Sequence, residues 1–93
     1  MSWYGRVVVY TETSEEKAEK IKTFLHEWFN DVDVYSGEVV ADETNDFCWS
    51  FVDELKEKIK KFQKKENIKT KFFISVYYFD EPTEEYVIAP EDD

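Results

Sequence analysis

The sequence predicts one α+β domain in which two helices cover one face of a β-sheet. Two segments of the 93-residue chain have apolar residues at helical spacing, and several others are rich in β-branched and aromatic residues. Two glycines and two prolines leave little of the chain with the composition of a linker. Because a chain this short has room for one hydrophobic core, we expect residues 1–93 to form a single domain, with 90–93 as a loose acidic tail.

The first strand and the first helix follow from local composition. Residues 3–11 have strand composition around Val7, Val8 and Val9. Thr13 and Glu16 have the spacing of a capping box, which predicts a helix start. We expect that helix to end near residue 30. Its apolar positions, three and four residues apart, are Ala18, Ile21, Leu25 and Trp28.

The middle of the chain allows two interpretations. Residues 32–41 have strand composition, but Ser36 and Gly37 interrupt them. Ser-Gly is a turn dipeptide, which predicts a tight hairpin of residues 32–35 and 38–41. One long strand with a glycine bulge is the alternative.

A second helix and a final hairpin complete the predicted elements. The helix is expected from Asn45 or Asp46, as its cap, to about Glu66. Acidic residues cluster in its first turns and lysines in its last turns, which complements the helix dipole. Residues 69–79 form a strand, residues 80–83 a turn, and residues 84–89 the antiparallel partner strand.

These elements predict a two-layer sandwich with one open sheet face. With the hairpin at Ser36 and Gly37, the first six elements have the βαββαβ order of the ferredoxin-like pattern, with a C-terminal strand added. Without it, the order is βαβαββ. In both cases we expect an antiparallel or mixed sheet with both helices on one face. Strand alternation then places Phe73, Tyr77 and Phe79 on the open face, where rings are typical of a dimer or ligand surface.

Few residue patterns used by enzymes are present. His26 is the single histidine, and helical spacing places it opposite the apolar stripe. Cys48 falls on the predicted apolar stripe of the second helix, where we expect an inert buried thiol. One cysteine, one histidine and two glycines provide neither zinc-ligand spacing nor a phosphate-binding loop. We therefore expect no enzyme activity, no cofactor and no metal.

Charge is segregated along the chain, although the net charge is −10. Residues 23–55 contain nine acidic residues and no Lys or Arg, and residues 72–93 contain seven acidic residues and no Lys or Arg. Residues 56–71 reverse the sign, with eight lysines against two glutamates. The simplest interpretation is that these charges complement helix dipoles and maintain solubility.

The acidic blocks also predict a surface that docks on a basic protein, which would include nucleic-acid-binding proteins. By class analogy alone, small phage and viral inhibitors that mimic nucleic acid, anti-CRISPR proteins among them, act in this way. Direct contact with nucleic acid is disfavoured by the negative field. Trp49 is a candidate anchor, because helical spacing turns it away from the apolar stripe. The candidate partner-binding residues are Asp31, Asp33, Glu38, Asp42, Glu43, Asp46, Trp49, Asp80, Glu81, Glu84 and Glu85.

The alternative function is a small dimeric regulatory domain, or a ligand-binding one, that uses the open aromatic face. A homodimer is the simplest form of that alternative. A single cysteine cannot form an internal disulfide, which is typical of a reducing compartment. No apolar stretch is long enough to span a bilayer. We therefore expect a cytoplasmic protein without a membrane partner.

Overall fold

A computed structural model describes residues 2–79 and 83–90 and places them in an α+β fold. This confirms the predicted class. Five strands and two helices are present in the described residues. In chain order they are β1 (Ser2–Glu12), α1 (Glu15–Leu25), β2 (Asp31–Tyr35), β3 (Glu38–Cys48), α2 (Phe51–Lys65), β4 (Phe72–Tyr78) and β5 (Glu84–Ile88).

The strands of the described residues form one open sheet in the order β2-β3-β1-β4-β5, and every neighbouring pair is antiparallel. β1 lies at the centre and pairs with β3 over its whole length. The connection from β1 through α1 to β2 passes over β3, and the connection from β3 through α2 to β4 passes over β1. One helix therefore belongs to each of the two crossovers.

The turn between β2 and β3 is a two-residue hairpin turn. Tyr35 pairs with Glu38, and the two residues between them have positive φ angles, 49° at Ser36 and 88° at Gly37. Positive φ at both positions is the type I′ geometry whose twist matches that of the flanking strands. The hairpin interpretation is confirmed, and the bulge with its βαβαββ order is wrong.

β3 is longer than predicted, and α2 starts later. Asn45 and Asp46 do not cap a helix, because both lie in β3 opposite Gly5 and Tyr4. The eleven-residue β1 offers backbone groups along its full length, and β3 satisfies them as far as Cys48. The helical stripe inferred from sequence therefore extended too far toward the N-terminus. Ser50 is the N-cap of α2.

Three smaller boundaries also differ from the predictions. α1 is capped by Ser14 rather than Thr13, with the Ser14 side chain accepting a hydrogen bond from the Lys17 backbone N–H at 3.3 Å. It ends at Leu25 rather than near residue 30. β4 begins at Phe72 rather than at residue 69. Ala18, Ile21 and Leu25 are buried as predicted, whereas Trp28 is half-buried and lies in the turn after α1.

The hydrophobic core lies between the helices and one face of the sheet. Strand residues alternate between buried and exposed, so β1 contributes Val7 and Val9, and β4 contributes Phe72, Ile74 and Val76. Ile21 and Leu25 of α1 and Leu55 and Ile59 of α2 cover them and are fully buried. None of the helices in residues 2–79 and 83–90 is long and apolar enough to cross a membrane.

Candidate functional site

The face of the sheet opposite the helices, called here the open face, carries the side chains left over by the core. Alternation along each strand determines which residues reach it. They are Asp31, Asp33 and Tyr35 of β2; Glu38, Val40, Asp42, Thr44, Asp46 and Cys48 of β3; Ser2, Tyr4, Arg6, Val8, Tyr10 and Glu12 of β1; Phe73, Ser75 and Tyr77 of β4; and Glu85 and Val87 of β5. Phe79 follows directly after β4.

Five of the predicted partner-binding residues lie together on the open face of the hairpin formed by β2 and β3. We call this group the acidic half; its members are Asp31, Asp33, Glu38, Asp42 and Asp46. Asp31 stands directly opposite Asp42 in the strand register, and Glu38 stands opposite Glu12 of β1. Like charges in directly opposed positions destabilise a sheet. The acidic half therefore works against the stability of its own strands.

Aromatic rings occupy the neighbouring strands β1 and β4. We call this group the aromatic half; its members are Tyr4, Tyr10, Phe73, Tyr77 and Phe79. Four of these side chains are exposed, from 40 % at Tyr77 to 80 % at Phe79, and Tyr10 is half-buried. The predicted orientation of Phe73 and Tyr77 away from the core is thus observed, and Tyr4 and Tyr10 are additional members that the sequence analysis did not single out.

Arg6 joins the two halves. Its Nε donates to Asp42 Oδ1 at 2.8 Å, and its Nη2 donates to Asp42 Oδ2 at 2.5 Å, which forms a two-point ion pair across β1 and β3. The guanidinium carbon lies 5.7 Å from the centre of the Tyr77 ring. Hydrogen bonds from Arg6 hold the pKa of Asp42 below its ordinary value. Among the described residues, Arg6 is the only Lys or Arg on the open-face positions of the strands.

A second polar contact lies at the C-terminal end of β1, close to the turn between β2 and β3. The hydroxyl of Tyr10 lies 2.5 Å from Glu12 Oε1 and 2.9 Å from Glu38 Oε1. Since a phenol has one proton, it donates to one of these carboxylates at a time. Hydrogen bonding to Glu12, followed by desolvation, raises the pKa of Tyr10. The contact attaches the aromatic half to the two carboxylates that face each other across β1 and β3.

A shallow depression lies over the acidic half. Its volume is about 650 Å³, and it is lined by Arg6, Asn30, Asp31, Asp33, Asp42, Glu43 and Thr44. Glu43 points to the other side of β3, where its Oε1 accepts a hydrogen bond from the Asn30 backbone N–H at 3.0 Å. The open-face carboxylates that line the depression are therefore those of Asp31, Asp33 and Asp42, and Arg6 supplies a single guanidinium.

The remaining candidate residues lie apart from the acidic half. Glu85 is on the open face at the opposite edge of the sheet, and Glu84 has the opposite alternation and accepts a hydrogen bond from the Tyr86 hydroxyl. Trp49 lies in the turn before α2 rather than on the helix; it is 54 % exposed, and its ring centre is 6.4 Å from that of Trp3. Asp80 and Glu81 are outside the described residues.

The groups considered for chemistry are isolated. His26 is exposed just after α1. The prediction of a buried Cys48 is wrong, because the residue ends β3 on the exposed side, with its Sγ 3.1 Å from Ser50 Oγ. That hydrogen bond lowers the pKa of the Cys48 thiol. Within the described part of the chain, no group of three or more His, Cys, Asp and Glu residues could hold a metal ion.

Chemically, the open face combines uncompensated negative charge with exposed rings at neighbouring positions. Sequence reasoning found the acidic residues from their clustering along the chain but missed Arg6, whose charge is balanced within residues 1–22. The signal that could have revealed Arg6 is its place among the even-numbered positions of β1, the face opposite Val7 and Val9. Comparison with protein families, curated proteins and solved structures gives no match to this chain.

Proposed function

We propose that this chain is a non-enzymatic protein-binding domain whose open face docks on a basic partner protein. The observation that carries the proposal is the joining of the acidic half to the aromatic half on one uncovered sheet face. Arg6 offsets only one of the five carboxylates of the acidic half, through its pair with Asp42. The cytoplasm, expected from cysteine usage, is the proposed location.

The two halves supply different parts of a binding energy. Complementary charge speeds the encounter and selects the partner, but it adds little affinity when the charges stay solvated. Buried aromatic rings add affinity, since each removes roughly 150–250 Å² of surface from water. The Tyr77 ring lies beside Arg6, and the Phe73 ring lies beside Tyr10, whose hydroxyl contacts Glu38 of the acidic half, so one docking event can use both contributions.

Occupation of a nucleic-acid channel, as by inhibitors of the anti-CRISPR type, is a narrower form of this proposal. The open-face carboxylates of β3 recur every four residues, at Glu38, Asp42 and Asp46, so they stand roughly 13 Å apart at about 3.3 Å per residue. Duplex DNA has one charge per about 1.7 Å of axis. This spacing favours a partner that contacts the rings as well as the carboxylates over one that reads charge alone.

The test is affinity capture from the native host with three forms of the chain. The first is the wild type, and the second is the triple variant Asp31→Asn, Asp33→Asn, Asp46→Asn. The third is the matched control Glu19→Gln, Glu27→Gln, Glu57→Gln, called the helix control, which removes the same charge from α1, from the turn after it and from α2. Captured proteins are identified by mass spectrometry at low and high salt.

The proposal expects a discrete basic protein that the wild type and the helix control retain at low salt. The open-face variant does not retain it, and high salt releases it from the wild type and from the helix control, because screening weakens exposed charge pairs. Recovery of the same proteins with all three forms would contradict the proposal. Purified binding partners then give an affinity by titration with the same variants.

A dimeric or ligand-binding domain is the second candidate function, and the exposed Phe73, Tyr77 and Phe79 favour it. Two copies that meet through their open faces would also bring their carboxylates together. Such a dimer is therefore expected to strengthen with salt, which is the opposite of docking on a basic partner. Sedimentation velocity at two salt concentrations separates the candidates, and a monomer at both concentrations argues against the dimer.

For the fold, we propose the ferredoxin-like interpretation with β5 as an added edge strand. The βαββαβ order of the first six elements supports it, as does the position of β3 between β1 and β2. An experimental structure tests the proposal through the strand neighbours. Loss of the β1–β4 pairing in that structure would contradict it.

A further inference from the structure

The open face contains one cationic side chain, Arg6, and its contacts show what kind of cationic group this surface can bind. Arg6 uses two nitrogens on the two oxygens of Asp42 and lies over Tyr77. The two-point pair needs a planar, forked group, because a lysine ammonium cannot place two separate nitrogens on the two carboxylate oxygens in this way. Arg6 thus shows guanidinium recognition by a carboxylate on β3 and a ring on β4, the two strands that flank β1.

Next to Arg6 lie further carboxylates that no cation contacts in the described residues. Asp31 and Asp33 line the depression of about 650 Å³ over the acidic half. In residues 2–79 and 83–90, the side-chain ion pairs are Arg6 with Asp42 and Lys56 with Asp53, so neither Asp31 nor Asp33 has a basic partner there.

Rings lie within reach of these free carboxylates. The register runs from Asp33 to Val40, from Val40 to Tyr10, and from Tyr10 to Phe73 along one row of the sheet. The ring centres of Tyr10 and Phe73 are 6.3 Å apart. Adjacent strands are about 4.8 Å apart, so roughly 10 Å separates Asp33 from Tyr10, a gap that one or two long side chains can cross.

We propose that the segment of the partner that occupies the open face is arginine-rich, with guanidinium groups on Asp31 and Asp33 and on the rings of Tyr10 and Phe73. The inference rests on the proposed function and deepens it by naming the chemistry of the partner. A surface that selected charge alone would accept lysine equally well. A surface that repeats the Arg6 arrangement discriminates between the two residues.

The test uses two labelled peptides, one of Arg-Ser repeats and one of Lys-Ser repeats, with equal length and charge. Fluorescence anisotropy measures the Kd of each for the full chain. The arginine peptide is expected to bind about tenfold more tightly, because guanidinium gains both the two-point pair and the ring contact. Equal affinities for the two peptides would overturn the inference.

Two variants and one control assign the preference to residues. Phe73→Leu keeps an apolar side chain but removes the ring, and it should lower the affinity for the arginine peptide while leaving the lysine peptide unchanged. Asp31→Asn with Asp33→Asn should lower the affinity for both peptides. The matched double variant Glu19→Gln with Glu57→Gln should lower neither affinity by more than the loss of net charge requires. Circular dichroism confirms that each variant is folded.

The outcomes separate the inference from the proposed function. If both peptides bind equally and binding still depends on Asp31 and Asp33, the proposed docking on a basic partner stands. The assignment of that partner as arginine-rich is then overturned. An arginine preference that persists in Phe73→Leu and in Tyr10→Leu also overturns it, because the rings then contribute nothing. Binding that is unaffected by removal of Asp31 and Asp33 contradicts the proposed function as well.

Discussion

At the scale of single residues, Gln63 is a buried polar side chain that links α2 to two other parts of the fold. It lies on α2, is 2 % exposed, and its Nε2 donates to the backbone carbonyls of Thr70 and Ile88 at 3.1 Å each. One amide thus attaches the helix both to the loop before β4 and to the end of β5. Its Oε1 is buried without a hydrogen-bond partner in the described residues. A buried unsatisfied acceptor costs free energy that the two donated bonds must offset.

Gln63→Ala is expected to lower the free energy of unfolding by about 1–3 kcal/mol, because the buried Ile88 carbonyl and the partly buried Thr70 carbonyl lose their donor. Urea unfolding followed by tryptophan fluorescence measures the change. The matched control is Lys64→Ala, the exposed neighbour on the same helix, which should change stability by less than about 0.5 kcal/mol. Equal effects of the two substitutions would show that the hydrogen bonds of Gln63 contribute nothing.

The ion pair between Arg6 and Asp42 gives stability a pH dependence with a defined sign. Because hydrogen bonds from Arg6 lower the pKa of Asp42 in the folded state, the contribution is present above the ordinary pKa of 3.8 and is lost as pH falls through the lower, folded-state pKa. Asp42→Asn and Arg6→Gln should each flatten the same acidic part of the stability curve. Urea unfolding between about pH 2 and pH 6 tests this; a wild-type slope in either variant would contradict it.

At the scale of elements, the tight turn between β2 and β3 determines which side chains form the acidic half. Gly37 has φ 88°, and a Cβ placed there would lie 2.3 Å from the Thr13 carbonyl oxygen. The Gly37 carbonyl in turn accepts a hydrogen bond from the Thr13 backbone N–H at 2.8 Å. The turn is therefore packed against the start of α1, and its two-residue length fixes the register of β3 against β2.

Gly37→Val should lower the free energy of unfolding by about 2 kcal/mol or more, from the left-handed backbone and the clash with Thr13. Ser36→Asn at the neighbouring position should leave stability equal or raise it by up to about 1 kcal/mol, since Asn-Gly suits a type I′ turn. Chemical denaturation of both variants is the measurement. An unchanged unfolding midpoint for Gly37→Val would mean that the turn is not formed as described.

The sequence predicts the elements whose apolar residues follow one clear spacing, helical or alternating. It does not predict the boundary where a strand pattern passes into a helical one. α1, the two hairpins and the two faces of β4 follow from helical spacing or from alternation. The junction of β3 and α2 was misassigned, because Cys48 continues the apolar stripe of α2 toward the N-terminus while Asn45 and Asp46 resemble caps. Pairing with Gly5 and Tyr4 of β1 decided the structure, and that contact is distant in sequence.

The sequence predicts that the candidate site is rich in acidic residues, but it does not predict which of their side chains share one face of the sheet. Proximity along the chain grouped Asp42 with Glu43, although alternation in β3 sends their side chains to opposite sides. Conversely, no local pattern links Arg6 to Asp42, because the two residues are 36 positions apart. Strand order and register bring those two together, and neither follows from local composition.

At the scale of the whole molecule, the two layers differ in charge. The lysines of residues 56–71 lie mostly on α2 and just after it, whereas the open face carries the acidic half and Glu85. Self-repulsion within the acidic half opposes folding, and net charge far from zero adds to that effect. The surface proposed to bind a partner is thus maintained at some cost in stability, as is common for functional sites.

Added salt is therefore expected to stabilise the chain. Raising NaCl from about 20 mM to about 500 mM shortens the screening length from roughly 20 Å to roughly 4 Å, which weakens repulsion between the exposed carboxylates. Thermal unfolding should shift upward, and Asp31→Asn with Asp33→Asn should be more stable than the wild type at low salt and gain less from added salt. A midpoint that falls with added salt would contradict this account of the open face.

The two-residue alternation of β3 also limits how this protein can vary among natural forms. Each side chain of β3 lies either in the core or on the open face. Substitutions at Asp42, Thr44 or Asp46 therefore alter the open face and leave the core positions Val39 and Ala41 unchanged. A deletion of one residue within β3 would exchange the two sets and send carboxylates toward the helices. Lineages of this chain are therefore expected to diversify by replacing side chains on the open face while keeping the length of β3 constant.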